Sequence, residues 1–180
     1  DVVVIGHSMG GLVATSLAAE PDMPVTGLIL SSTHLGFSLP PGRPLLPRYA
    51  TRIERLTAKG SSLEYGLERA RRNTPDGTSD EIVSFLADIA LEVRIEQIRD
   101  GGRMSQEASN AAISDMIKVP VLILSGGKDT VISDEMHNAL TSAFPVAKQI
   151  VFPDAGHASY AECPAKYHAE IIKFVNKTKQ

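Results

Sequence analysis

Val2-Val3-Val4-Ile5-Gly6-His7-Ser8-Met9-Gly10-Gly11 opens as a β-branched apolar run, breaks at a glycine and passes into residues spaced for a helix. The run reads as a strand buried on both faces of a parallel sheet. From Met9 to Glu20 the apolar positions Leu12, Val13, Leu17 and Ala18 recur at helical spacing, and Pro21 follows. A serine therefore stands at the apex of a sharp strand-to-helix turn. Such a turn holds Ser8 in a strained conformation while strand and helix pass close by, and glycines at both flanks remove side chains that would collide. Its hydroxyl is lifted to the sheet's C-terminal edge, over a helix N-terminus whose dipole favours negative charge. A glycine turn of the dinucleotide-binding kind would instead carry G-x-G-x-x-G, and its serine would need no partners downstream.

Working outward, Val25 to Leu30, Pro120 to Leu124 and Gln149 to Phe152 are three more short apolar runs separated by helix-like sequence. Four strands alternating with helices predict an α/β fold with a mostly parallel sheet. Between Thr33 and about Met116 the pattern changes. After the linker Leu39-Pro40-Pro41-Gly42-Arg43-Pro44 the segments read as amphipathic helices without a strand. Ser61 with Glu64 and Thr78 with Glu81 have capping-box spacing. Behind the second, Ile82, Leu86, Ile89 and Val93 fall on one helical face, and Gly101-Gly102 is expected to end the run. The expected division is a core over 1–34, a helical cap over 35–116, and the rest of the core over 117–180. The last helix, from Pro164 to about Lys177, carries Tyr167, Ile171 and Phe174 on its inner face.

Gly6-His7-Ser8-Met9-Gly10 fits G-x-S-x-G in the context of a nucleophile turn. Serine is a weak nucleophile alone, so it needs a base, and the base needs an acid to fix its tautomer. With such a turn the chain order is serine, acid, histidine, the last two on loops after strands. Asp129 follows the Pro120 to Leu124 strand in Ser125-Gly126-Gly127-Lys128-Asp129 and is the candidate acid, with Asp154 as its competitor. The loop after Val25 to Leu30 has Ser31-Ser32-Thr33 and no acid. His157 follows the fourth strand in Pro153-Asp154-Ala155-Gly156-His157 and is the candidate base. His7 lies inside the turn, His34 at the entry to the helical block, and His137 and His168 on predicted helices.

Val4 to Gly11, Val119 to Asp129 and Asp154 to His157 together resemble the three signature blocks of the capped serine α/β-hydrolase superfamily. The resemblance covers the chain outside the helical block and is not specific for a substrate: similar blocks occur in carboxylesterases, enol-lactonases, cofactor-free haloperoxidase-like esterases, C–C bond hydrolases and proline iminopeptidases. It implies a partial α/β-hydrolase fold with an inserted helical cap, and a Ser8–His157–Asp129 triad cleaving an ester, lactone or similar acyl bond of a small molecule. Met9 N–H would be one oxyanion donor, and the second would come from a loop ahead of the turn. No metal or cofactor is implied. Serine at position 8 argues against the epoxide hydrolase and haloalkane dehalogenase branches, which place aspartate there. Ile132 stands near where many relatives have proline. Relatives also carry several strands ahead of the turn, whereas this chain starts with Asp1 inside a strand. The expectation is an N-terminally truncated member whose first strand is an uncovered edge.

The 180 residues are 43% hydrophobic and 22% charged, enough for one well-buried core, and the formal charge of -3 gives no reason to expect nucleic acid or an anionic membrane as partner. No apolar run approaches the roughly 20 residues that cross a bilayer. Cys163 is the only cysteine, which excludes an intrachain disulfide and is compatible with the reducing cytoplasm. Arg43, Arg48, Arg52, Arg55, Arg69, Arg71 and Arg72 cluster early in the helical block. They could receive a carboxylate-bearing substrate, but a solvated helix face balanced by nearby glutamates is the preferred reading. Two other functions fit the same residues: a small-molecule receptor on a hydrolase scaffold, and an inactive remnant.

Overall fold

The computed structural model describes residues 1–178. Four parallel strands, β1 (Val2–His7), β2 (Val25–Ser31), β3 (Val121–Gly126) and β4 (Lys148–Phe152), form one sheet in the order β1-β2-β3-β4. Helix α1 (Met9–Ala19) joins β1 to β2, α6 (Asp134–Ala143) precedes β4, and the short α7 (Ser159–Glu162) and long α8 (Pro164–Thr178) close the chain. Between β2 and β3 lie α2 (Pro47–Lys59), α3 (Leu63–Asn73), α4 (Asp80–Leu91) and α5 (Ile95–Glu107), then two single-turn 3-10 helices.

Successive residues of a strand face opposite sides, and the core follows that period. Leu28, Leu30 and Ile123 pack with Ala14, Leu140 and Phe144 on one face, whereas Ile29, Leu122 and Leu124 pack with Phe152, Tyr167 and Phe174 on the other. β2 and β3 are thus covered on both sides, and each such fully buried aliphatic side chain stabilises the fold by roughly 1.5–3 kcal/mol. β1 lies at the edge of the described sheet, as the uncovered-edge expectation had it. It pairs with β2 alone among the described residues, and Val2 and Ile5 remain 47% and 48% exposed.

The helical block corrects the sequence reading in three places. Ser62 and Ser79, not Ser61 and Thr78, cap α3 and α4, accepting from Tyr65 N–H and Ile82 N–H. The buried face of α4 is Val83, Leu86 and Ala87, while Ile89 is 47% exposed. Small residues decide this seam: a Cβ at Gly66 would stand 2.8 Å from the Ala87 carbonyl oxygen, so α3 and α4 approach more closely than larger side chains allow. Gly101-Gly102 does not end a helix but lies inside α5. A Cβ there would meet Met9 Sδ at 2.6 Å and the Tyr49 ring at 2.8 Å, so contact with α1 and α2, not helix termination, accounts for both glycines.

Where the chain leaves β2, His34 pins the block to the sheet. It is 7% exposed. Its Nδ1 accepts the Gly36 N–H at 3.0 Å, so the neutral ring carries its proton on Nε2, 3.3 Å from Ser105 Oγ, which also accepts the Tyr49 hydroxyl at 2.7 Å. Burial, and then the charge of Arg48, pushes His34 down to about 4, and burial followed by the charge of His157 does the same to His7. Unfolded histidine titrates near 6.5, so between about 4 and 6.5 the unfolded chain binds more protons, and stability falls as pH drops through that window. Each histidine contributes a slope of at most ~1.4 kcal/mol per pH unit there. The melting temperature is therefore expected to fall from pH 7 to pH 5, and less steeply in His34→Gln. An unchanged slope in that variant would show that His34 is not held neutral.

Candidate active site

Ser8 sits between β1 and α1 with φ 52° and ψ -123°, a conformation that side-chain-bearing residues rarely adopt. Its backbone is fully engaged: the N–H donates to Ser31 O at 2.9 Å, and its carbonyl accepts Gly11 N–H at 2.9 Å and the Thr33 hydroxyl at 2.5 Å. A Cβ at Gly6 would lie 2.4 Å from the Gly10 carbonyl oxygen, and one at Gly11 would lie 2.3 Å from Thr33 Oγ1. Gly10 faces open space, so the crowded pair is Gly6 and Gly11 instead of the expected Gly6 and Gly10. Met9 is the first residue of α1, where its N–H has no intrahelical acceptor and points out of the helix's positive end.

The three candidate residues meet at this turn. His157 Nε2 is 3.0 Å from Ser8 Oγ, and His157 Nδ1 is 2.9 Å from Asp129 Oδ2. Asp129 turns its other oxygen, Oδ1, to the N–H groups of Val131 and Ile132 at 2.8 and 3.0 Å. Burial pushes the Asp129 carboxyl up, but the hydrogen bond and charge of His157 and the two N–H donors outweigh it and hold the group below the usual carboxylate range. Asp154, the competing acid, points away: it pairs with Lys128 at 3.3 Å, and its side chain is 93% exposed. His137 and His168 lie on α6 and α8, as expected from their positions.

Several residues outside the candidate triad hold the histidine loop. Glu162, in α7, accepts Gly156 N–H at 2.6 Å and Ala158 N–H at 3.1 Å, clamping the loop on both sides of His157. Burial pushes the Glu162 carboxyl above its ordinary range despite these donors. Asn73 O, at the end of α3, accepts His157 N–H at 2.9 Å, and His7 Nε2–H donates to His157 O at 2.9 Å. A side chain at Gly156 would clash with this arrangement, because its Cβ would stand 2.9 Å from Asn73 O.

Above Ser8 and His157 opens a cavity of about 720 Å³, roofed by α2 and α3. Five arginines, Arg48, Arg52, Arg55, Arg69 and Arg72, line it together with Tyr65 and His34. The preferred sequence reading of a glutamate-balanced surface holds only in part. Arg55 and Lys59 pair with Glu68, Lys59 also with Glu64, and Arg71 with Asp80. Arg52, Arg69 and Arg72 form no ion pair among the described residues. Cys163 is half-buried, and no helix among the described residues is long and apolar enough to cross a membrane.

Comparison with known proteins agrees with this architecture. The family model for the alpha/beta hydrolase family matches residues 1–170. The chain is 27% identical over 180 residues to a pimeloyl-[acyl-carrier protein] methyl ester esterase of Neisseria meningitidis, covering 94% of this chain and 68% of that protein. An esterase from Exiguobacterium antarcticum superposes with a TM-score of 0.81 at 18% identity, over 97% of this chain and 66% of that one. The enol-lactonase from Burkholderia xenovorans LB400 superposes with a TM-score of 0.78 at 20% identity, over 96% of this chain and 64% of that one. The chain thus spans about two thirds of each of these proteins. A match running through the Ser8 turn, the Asp129 loop and the His157 loop alike makes the chain a member of the alpha/beta hydrolase family.

Proposed function

We propose that the protein is a serine hydrolase that cleaves an ester, lactone or similar acyl bond of a small molecule, with Ser8 as nucleophile, His157 as base and Asp129 as acid. The observation that carries this reading is the unbroken hydrogen-bonded path from Ser8 Oγ through His157 to Asp129 at the floor of a cavity. His157 Nε2 takes the Ser8 proton as Oγ attacks the carbonyl carbon. The resulting oxyanion lies towards Met9 N–H, where a backbone donor and the α1 dipole favour negative charge. Collapse breaks the bond to the leaving oxygen, which receives the proton from His157, and leaves an acyl-Ser8 ester. Water, deprotonated by His157, attacks that ester and restores Ser8. Asp129 stays ionised throughout and stabilises the imidazolium. The block α2–α5 acts as a cap that shapes the cavity above Ser8.

In the natural full-length protein, Ser8→Ala and His157→Ala should each lower turnover of 4-nitrophenyl esters by about a thousandfold or more. Retention of half the wild-type rate by either would overturn the assignment, and a receptor that only binds its ligand would lack rapid multiple turnover in the wild type. A fluorophosphonate probe should label the wild type and leave Ser8→Ala unlabelled.

Glu162 is a positioning residue in this mechanism, because it touches the histidine loop and not the reacting atoms. Glu162→Ala frees both N–H groups and should lower kcat by about tenfold to a hundredfold with KM little changed. Glu162→Gln, whose amide oxygen can still accept, should recover part of the loss. A variant that loses only thermal stability, with kcat intact, would reduce Glu162 to a fold-stabilising role.

A further inference from the structure

The cavity above Ser8 has a charge that the hydrolytic mechanism does not require. On α2, Arg48, Arg52 and Arg55 are spaced by four and three, and on α3, Arg69 and Arg72 by three, so each set lies on one face of its helix. Both faces line the cavity. No aspartate or glutamate among the described residues lines it. On these helices Glu64 pairs with Lys59, Glu68 pairs with Lys59 and with the cavity-lining Arg55, and Glu54 forms no ion pair among the described residues. Arg48 is also engaged, donating to Val131 O at 3.1 Å and lying over the Phe37 and Tyr49 rings. What remains is a trio. Arg52 has only the Tyr65 hydroxyl, at 3.4 Å, and Arg69 and Arg72 have no carboxylate partner among the described residues.

Arg69 makes the cost of this arrangement visible. Burial, and then the charges of Arg52 and Arg72, pushes its guanidinium down to about 10. Arg52 and Arg69 are half-buried and Arg72 is exposed, and like charges gathered in this way repel one another until an anion enters. A guanidinium fork accepts a carboxylate or phosphate through two parallel N–H bonds, which a neutral ester cannot use.

Resting on the serine-hydrolase reading above, we propose that the substrate carries an oxyanionic group, a carboxylate or a phosphate, in addition to its acyl bond. Arg52, Arg69 and Arg72 hold that group in the upper cavity while the scissile carbonyl faces Ser8 and His157. The helical roof selects anionic esters or lactones over neutral ones of the same shape.

The test compares mono-4-nitrophenyl glutarate with 4-nitrophenyl valerate, which share a leaving group and chain length but differ in a terminal carboxylate. In the natural full-length enzyme kcat/KM should favour the glutarate by about tenfold or more at low salt. The preference should shrink as salt is raised. Arg69→Gln and Arg52→Gln should each cut the glutarate-to-valerate ratio several-fold, whereas Arg71→Gln, paired with Asp80 outside the cavity, should leave it unchanged. Stronger competition by free glutarate than by inorganic phosphate assigns the carboxylate, and the reverse assigns the phosphate. Efficient valerate hydrolysis with no preference for glutarate overturns the anion site and leaves the serine-hydrolase reading standing. If neither ester turns over, that reading falls, and calorimetry on Ser8→Ala still decides the present one. Binding of glutarate or phosphate weakened about tenfold by Arg69→Gln supports the site, and no binding of either anion overturns it.

Discussion

Ser8 is held at φ 52° and ψ -123°, and the geometry of the whole site is built around that one backbone conformation. For a residue with a side chain it costs about 1–3 kcal/mol, so the surroundings must over-determine it. They do so through the neighbouring strand: Ser8 N–H is fastened to Ser31 O, and Thr33 Oγ1 holds the Ser8 carbonyl. His7 and Ser31 are register partners, which makes the β1–β2 pairing and the direction of the Ser8 hydroxyl a single constraint. Gly6 and Gly11 supply only the space in which that constraint can be met.

The same constraint poses a problem for the histidine. Ser8 follows β1 at one edge of the sheet and His157 follows β4 at the other, three strand spacings or roughly 14 Å away. The loop must cross the sheet's C-terminal edge to bring the imidazole to Ser8. A crossing loop of small residues would be loose without anchors, and three are present. Glu162 clamps the N–H groups of Gly156 and Ala158, His7 reaches the His157 carbonyl from the serine turn, and Asn73 takes the His157 N–H from the helical block. The last of these ties α3 to the histidine loop directly.

These relations explain what could be read from the sequence. The four strands were legible because β2 and β3 are apolar on both faces and leave short unbroken runs. Ser8, Asp129 and His157 were legible because each follows a strand within a glycine-containing turn, in an order that leaves few competitors. The anchors were not legible, since Glu162 and Asn73 act on backbone atoms of a loop distant in space from any motif. For Glu162, a carboxylate at the end of a one-turn helix just after the histidine was the only available signal. Two of the errors in the helical block, the buried face of α4 and the role of Gly101-Gly102, have one cause. Gly66, Ala87, Gly101 and Gly102 face partners from other helices, and periodicity counts large apolar residues while the seams here are set by small ones.

The arginine wall and the buried aspartate place opposite charges on the two sides of the imidazole. Asp129, with its side chain 6% exposed and its carboxyl held ionised, lies behind Nδ1, and the cavity with its cationic roof lies in front of Nε2. His7 and His34, both pushed down to about 4, are neutral near pH 7 and add no charge of their own. The standing positive charge of the cavity roof is therefore carried by its arginines. Such a field favours any state in which negative charge enters or develops above Ser8, whether a bound oxyanionic substituent or the tetrahedral intermediate. It acts most strongly on a ligand carrying both. A neutral ester gains only from the second, so discrimination by charge and stabilisation of the intermediate draw on the same residues.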